Sequence, residues 1–331
     1  MRKSKGIKLF VFFILTAFFI FNTGCGSDKK LIVIKLAHGL NPSHPVHQAM
    51  EFLSERVSEK SNGRMRIDIY PSEQLGSERE CLELLQIGSI AMTKVSCSVL
   101  EGFVPAMSVL SLPYLFKNEE HRFKVLEGEI GRQLLLKGEK YWLRGLCYYD
   151  AGSRSFYTKD KPVLSPSDLE GLKVRTQESQ TSMKMVQALG GSPTPIAWGE
   201  LYSALQQGVV DGAENNPPSF HLSRHYEVCR FYCLDEHTGV PDVLLISTKI
   251  WHGLLPELKE LLQEAADESA EYQKKLWKDA TQRALEVVQK SGVKIYYPDK
   301  RLFIERVKPI YEEYKSQPEI YQIIQRIKMV Q

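Results

Sequence analysis

Arg175 and the amide pair Asn215 and Asn216 are the side chains best placed to hold a small organic anion. Arg175 ends a short apolar run, 172–174, and the amides follow a second run, 209–213. A guanidinium meets a carboxylate through two parallel hydrogen bonds, which Lys cannot copy. An amide donates and accepts at once, which suits hydroxyls. Two strands ending side by side with such groups would form an anion pocket, because ligands of open α/β sheets bind beyond the carboxyl ends of strands. Competing readings stand beside these. Arg175 could be a surface cation paired with Glu178, and Asn216 could serve the turn before Pro217-Pro218.

Catalytic and metal chemistry find less support. His221-x-x-x-His225 would put two imidazoles on one helix face, but it lacks the Glu of an HExxH zinc site and any obvious third ligand. His44-x-x-His47 is equally incomplete. There is no Gly-x-Ser-x-Gly elbow, phosphate loop or Gly-x-Gly-x-x-Gly turn, so neither a metal nor a cofactor is expected. Asp211 and Glu214 resemble a carboxylate pair, yet Asp211 beside Gly212 reads as fixing its strand end. The cysteines Cys81, Cys97, Cys147, Cys229 and Cys233 contain no Cys-x-x-Cys pair and read as buried free thiols; Cys229 and Cys233 would meet if they shared a helix turn.

The elements that must position these groups begin after an export signal. Arg2, Lys3, Lys5 and Lys8 precede an apolar run, 9–21, that is too short to span a bilayer as a helix. Residues 1–24 read as a signal peptide, Cys25 as a lipidated residue and 25–30 as its linker, although Asn22 departs from the usual lipobox Leu. The whole chain has 43 basic and 40 acidic residues; without the four cations of 1–24 the balance is 39 to 40, net −1. The basic surplus therefore belongs to the export signal, and nothing in the charge balance supports nucleic-acid binding. The remaining 307 residues suggest two domains at about 150 residues each.

Residues 31–37 read as a buried strand, 45–59 as an amphipathic helix, 65–70 as a second strand, 80–87 as a helix capped by Gly88, and 89–95 as a third strand. This alternation predicts a parallel α/β sheet. Glu80, Leu85, Gln86, Gly88 and Ile90 recur as Glu200, Leu205, Gln206, Gly208 and Val210, which suggests two lobes of like architecture. From 256 to 291 a helical stripe runs without Gly and with Pro only at its start; at about 1.5 Å per residue it makes a helix of ~50 Å that would cross both lobes. Tyr311 and Tyr314 are expected to begin a shorter C-terminal helix.

The segments PSEQLGSERE, LQIGSIAM, LSLPYLF, AGSRSFY, LKVRTQES, PIAWGELYSALQQGVVDGAENNPPSF and EHTGVPDVLLIS occur in an order that resembles the dicarboxylate-type substrate-binding proteins of tripartite ATP-independent periplasmic (TRAP) transporters, over nearly all of the chain after residue 30. The resemblance implies a two-lobed periplasmic-binding-protein-like α/β fold with hinge strands and a long bracing helix. Lobe 1 would be 31–150 completed by roughly 237–255, lobe 2 would be 151–236, the brace 256–291, and 292–331 a C-terminal segment.

It also implies that Arg175 and, second to it, Arg154 face the ligand carboxylate, with Asn215 in contact and Trp198 as an aromatic wall. Arg154 could instead form a hinge ion pair, for example with Asp150, and Trp198 could staple its helix into the core. Asn216 stands where sialic-acid-binding relatives have Pro, which weakens a sialate reading. Glu78, His38 and His237 complete the expected binding set, Glu78 with helix capping and His237 with a structural role as alternatives.

The reading is a non-enzymatic receptor, exported to the periplasm or cell surface and lipid-anchored. It would bind a hexuronate or related sugar acid by hinge closure and deliver it to a permease of one small and one large membrane subunit. The alternatives are a C4-dicarboxylate receptor, a secreted sugar-acid hydrolase or lyase, and a sensor module for a membrane kinase.

Overall fold

In the computed structural model the described residues are 31–331; the expected signal, Cys25 and the linker 25–30 fall outside them. The strands are β1 Ile32–Ala37, β2 Met65–Tyr70, β3 Met92–Ser96, β4 Leu143–Tyr149, β5 Arg154–Thr158, β6 Lys173–Thr176, β7 Ser192–Pro195, β8 Gly212–Asn215, β9 Phe231–Thr238, β10 Asp242–Ser247 and β11 Lys294–Tyr296. They form two sheets, ordered β2-β1-β3-β10-β4 and β7-β6-β8-β5-β9-β11.

The two orders are one plan used twice. In each sheet three parallel strands come first, β2-β1-β3 or β7-β6-β8. An antiparallel strand then follows, β10 or β5, and a further strand antiparallel to that one, β4 or β9. The sheets are therefore mixed rather than parallel throughout. β5 and β10 each enter from the opposite sheet, so they run against the strands they join. The chain crosses between sheets at 150–153 and again at 239–241.

Local chemistry explains the repeated unit. Helix Glu78–Ile87 begins with a capping box in which Ser77 and Glu80 bond reciprocally, and it ends at Gly88 with φ 83°. Helix Leu201–Gln207 ends at Gly208 with φ 73°. Both glycines occupy the left-handed region, where Cβ is penalised, and each redirects the chain into the next strand, β3 or β8.

The long helix is Pro256–Lys290, 35 residues. Leu258, Leu262, Ala265, Ala266 and Trp277 share a core with Ile34 and Leu244 of the first sheet and with Met50 and Leu53 of helix Pro45–Lys60 that covers it. Val288 shares a core with Tyr157 and Tyr232 of the second sheet and with Phe220 of helix Pro217–Leu222. One element thus belongs to the cores of both sheets. Each large apolar side chain buried this way contributes about 1.5–3 kcal/mol.

The C-terminal segment differs from expectation. Tyr311 lies near the end of helix Lys300–Glu313, which contains Pro309, and Tyr314 starts a 3₁₀ turn before the last helix, Pro318–Met329. Phe303, Ile310, Ile324 and Ile327 join a core that includes Val99 and Leu143 of the first sheet's side and Val174 and Met185 of the second's.

The described cysteines are buried and free. Cys233 lies on β9 and Cys229 in the preceding loop, so they do not share a helix turn. Among the described residues no helix is long and apolar enough to cross a membrane.

Candidate ligand-binding site

A cleft opens where the strand ends of the two sheets face each other. Arg175, Arg154, Asn215, Asn216, Trp198 and Glu78 line it.

Arg175 sits on β6, beside Ala213 of β8. Its Nε donates to the Ile196 carbonyl at 2.9 Å, which fixes the plane of the guanidinium. The group is 2% exposed, and its buried Nη1 has no hydrogen-bond partner. Burial, with Arg154 nearby, lowers its pKa from the ordinary value. The Trp198 ring centroid lies 5.9 Å from its Cζ. No ion pair to Glu178 forms; Glu178 is exposed at the rim.

Arg154 is engaged by the protein itself. Its Nε and Nη2 fork onto the Glu214 carboxylate, Nη2 also donates to the Glu214 carbonyl at 2.7 Å, and Nη1 donates to Asn215 Oδ1 at 2.9 Å. The partner is Glu214, not Asp150, which pairs with Arg122 at 2.9 Å. Burial opposes ionisation of Glu214, but Arg154 and His237 outweigh it and bring its pKa down to about 2.

These bonds orient Asn215. Its Oδ1 accepts from Arg154 and from the Asn216 N–H at 2.9 Å, so its Nδ2 is the group left for the cleft. Asn216 Oδ1 accepts from Ser219 N at 2.9 Å and caps helix Pro217–Leu222. It therefore performs the turn chemistry while also lining the cleft.

The opposite wall holds a charged group that its sequence neighbourhood did not single out. Lys94 on β3 places Nζ 2.9 Å from Glu78 Oε1 and 3.1 Å from Asp242 Oδ2. Glu78 also accepts from Ser96 N at 3.2 Å. Burial works against the Lys94 charge, but Asp242 and Glu78 hold its pKa above the ordinary value. The available signal was a lysine within the buried strand run Met-Thr-Lys-Val-Ser. Ser77, not Glu78, is the helix cap.

His38 and His237 do not line the cleft. His38 Nδ1 accepts from Leu40 N at 3.1 Å, which leaves Nε2 to donate to His47 Nδ1 at 2.9 Å. Both ring nitrogens are thus used, and burial with Lys94 nearby lowers the pKa of His38 to about 2. His237 lies behind Glu214, with Nδ1 2.8 Å from Asp235 Oδ2 and Nε2 3.4 Å from Glu214 Oε2. Burial disfavours its charge, yet the two carboxylates raise its pKa to about 9.

The metal motifs separate. His221 ends on helix Pro217–Leu222, while His225 lies in a following 3₁₀ turn and bonds Tyr157 Oη at 2.8 Å. No group of three or more potential metal ligands occurs among the described residues. Asp211 Oδ2 accepts from Lys173 N at 2.8 Å, as its strand-end reading expected.

The walls also touch each other directly. Gly199 N donates to Glu73 Oε1 at 3.1 Å, and Ser96 Oγ donates to Gln177 at 3.3 Å. Glu101 Oε1 accepts from Ser179 Oγ at 2.8 Å and from Thr181 N at 2.9 Å. His44 Nδ1 accepts from Val46 N, so its Nε2 is the donor to Ser219 Oγ at 3.3 Å. These contacts join residues far apart in sequence and carried no local signal.

The bacterial extracellular solute-binding protein family 7, DctP, matches residues 36–317. The C4-dicarboxylate-binding periplasmic protein DctP of Rhodobacter capsulatus is 31% identical over 85% of this chain and 86% of its own. A TRAP periplasmic solute binding protein from Xanthobacter autotrophicus Py2 with bound β-D-galacturonate superposes with TM-score 0.88 at 35% identity, covering 90% of this chain and 100% of that one. A second, from Chromohalobacter salexigens with bound D-glucuronate, gives TM-score 0.88 at 34% identity, covering 90% and 100%. The chain belongs to the bacterial extracellular solute-binding protein family 7 and has the two-lobed fold of TRAP solute-binding proteins.

Proposed function

Given that membership, we propose that the protein captures a hydroxyl-rich monocarboxylate, a hexuronate or related sugar acid, and hands it to the small and large membrane subunits of a TRAP permease. The observation that carries this reading is Arg175, a guanidinium 2% exposed whose Nη1 has no partner. A buried unpaired cation is costly, and a carboxylate seated on its fork removes that cost. Asn215 Nδ2, Trp198 and the groups around Lys94 supply the amide, ring face and polar partners that a sugar acid requires. Uronates bound by the Xanthobacter and Chromohalobacter proteins support the same class.

The lobes of this reading are 31–150 with 237–255 against 151–236, supported by the chain crossings at 150–153 and 239–241 and by the brace Pro256–Lys290. Ligand docks on Arg175, and the other lobe closes over it through contacts such as Glu73 with Gly199. Residues 1–24 act as the export signal and Cys25 as the lipid anchor, supported by the basic start and the apolar run 9–21. A Cys25→Ser chain that stays with the membrane fraction would reject the anchor.

A C4-dicarboxylate is the second reading, favoured by the name of the Rhodobacter relative. It asks for a second free cation, whereas Arg154 is held by Glu214 and Lys94 by Glu78 and Asp242. Thermal shift against an organic-acid panel tests the choice. Ligand at 100 times its Kd stabilises by ~2.7 kcal/mol. The largest shift is expected from a hexuronate; a largest shift from succinate or malate, with uronates silent, rejects the proposal.

A further inference from the structure

We propose that Lys94, Glu78 and Asp242 form a charge filter that reads hydroxyls at the end of the ligand remote from its carboxylate and rejects a second carboxylate there. This rests on the sugar-acid reading above and names what enforces its single charge. The three side chains are 3%, 13% and 12% exposed, and all three line the cleft across from Arg175. One ammonium between two carboxylates leaves this wall with a net charge of −1.

The hydrogen-bonding capacity points the same way. An ammonium carries three donors, and Nζ of Lys94 has two carboxylate neighbours, which leaves one N–H for a ligand. Asp242 uses Oδ2 toward Lys94, and its other oxygen remains as an acceptor. A hydroxyl satisfies such a wall, since it donates to a carboxylate while accepting from the ammonium. A ligand carboxylate has no proton to donate and meets a wall of its own sign.

The remaining cleft cations do not relieve that conflict. Arg154 is consumed by Glu214, and Arg175 has the first carboxylate. Glu178 at the rim adds negative charge rather than positive. Position reinforces the assignment. Asp242 opens β10, directly after the second crossing, and pairs in register with Ser96 of β3, so Asp242 and Lys94 stand on paired strands while Glu78 opens the helix beside them.

Calorimetric titration of the full mature chain with galacturonate and with galactarate tests the filter, because the second ligand replaces the anomeric carbon by a carboxylate. The wild type is expected to prefer galacturonate strongly. Asp242→Asn and Glu78→Gln each keep shape and remove one negative charge, and each should shift the galactarate-to-galacturonate affinity ratio toward galactarate by about tenfold or more. Differences in ligand shape are common to wild type and variant and cancel in this ratio. Ligand-free melting of each variant identifies one that has not folded, in which case the other carries the test. An unmoved ratio, or parallel loss of both ligands, overturns the filter while leaving the sugar-acid reading intact. Equal wild-type affinity for the two ligands does the same. A wild type that binds succinate and not galacturonate overturns both.

Discussion

Gln273 of the long helix grips both backbone groups of Asp150: its Nε2 donates to the Asp150 carbonyl at 2.8 Å, and its Oε1 accepts from the Asp150 N–H at 2.8 Å. Asp150 begins the first crossing between the sheets. Its carboxylate also accepts from Arg122 at 2.9 Å and from Gly152 N at 2.9 Å. The long helix therefore holds the crossing by its main chain. Gly152, with φ +59°, lies so near Trp277 that a Cβ there would come within 2.9 Å of Nε1. Any closing motion must pivot around this fixed point, not through it.

Gln273→Ala leaves two buried backbone groups without partners. At about 1–3 kcal/mol for each orphaned group, unfolding in urea should show a loss of roughly 2–6 kcal/mol. A loss below about 1 kcal/mol would mean that the grip does not hold the crossing.

Arg175→Lys replaces a planar fork by a point charge, so ligand affinity should fall by about 100-fold or more in calorimetry. Arg175→Met should abolish binding yet leave the ligand-free protein at least as stable, because it removes a buried cation that lacks a partner. A drop in ligand-free Tm beyond about 4 °C, more than 1 kcal/mol for a chain of this size, would assign Arg175 a structural role instead.

Glu214→Gln strips the counter-ion from Arg154 and His237 together. Breaking a buried pair from one side costs about 3–5 kcal/mol, so this variant should melt far below wild type in calorimetry. Retention of wild-type Tm would show that the pair is dispensable.

Stability should fall on both sides of near-neutral pH. The pKa of His237 rises to about 9 in the fold, so its contribution is complete below its unfolded value, about 6.5, and is lost as pH climbs toward 9. Burial lowers His44 and His225 to about 3, so their contributions are complete above about 6.5 and fade as pH falls toward 3. Glu214, at about 2, adds a further loss as pH falls below its unfolded value of about 4.3. In a series of Tm against pH, His237→Gln should flatten the alkaline limb between 6.5 and 9 alone. An unchanged alkaline limb would refute the assignment.

Glu73→Ala removes the bond to Gly199 N without touching the carboxylate site. One such bond is worth about 0.5–1.5 kcal/mol, so affinity should drop about 2- to 10-fold, chiefly through faster release in stopped-flow measurement. Faster release with an unaltered on-rate identifies a latch on the closed form; unchanged kinetics would exclude one.

Local rules made much of this protein legible from its residues. A short buried apolar run placed β1, apolar alternation placed β2, and period 3.6 placed Pro45–Lys60 and Pro256–Lys290. Gly88 and Gly208 marked the repeated helix-to-strand turns, since each needs a left-handed residue. Arg175 was visible as a cation at a strand end, because ligands of open α/β sheets bind beyond the carboxyl ends of strands; the antiparallel β5 and β10 were not, because each enters its sheet from the other one.

Other properties depended on which distant side chains the sheets bring together. Arg154 looked like a second ligand cation until the pairing of β5 with β8 set it against Glu214, 60 residues away. Lys94 drew no expectation from its neighbours along the chain; the register of β3 with β10 is what brings Asp242 to it. His38 and His237 sit at promising places in the chain, but hydrogen bonds to Leu40, His47, Asp235 and Glu214 occupy their rings. The sequence by itself determined the elements, the repeated plan and the chemistry of the carboxylate-seeking group, because those follow from neighbours along the chain. Only the tertiary structure decided which charges remain free, because a buried charge is neutralised by whichever partner the strand register delivers within about 3 Å.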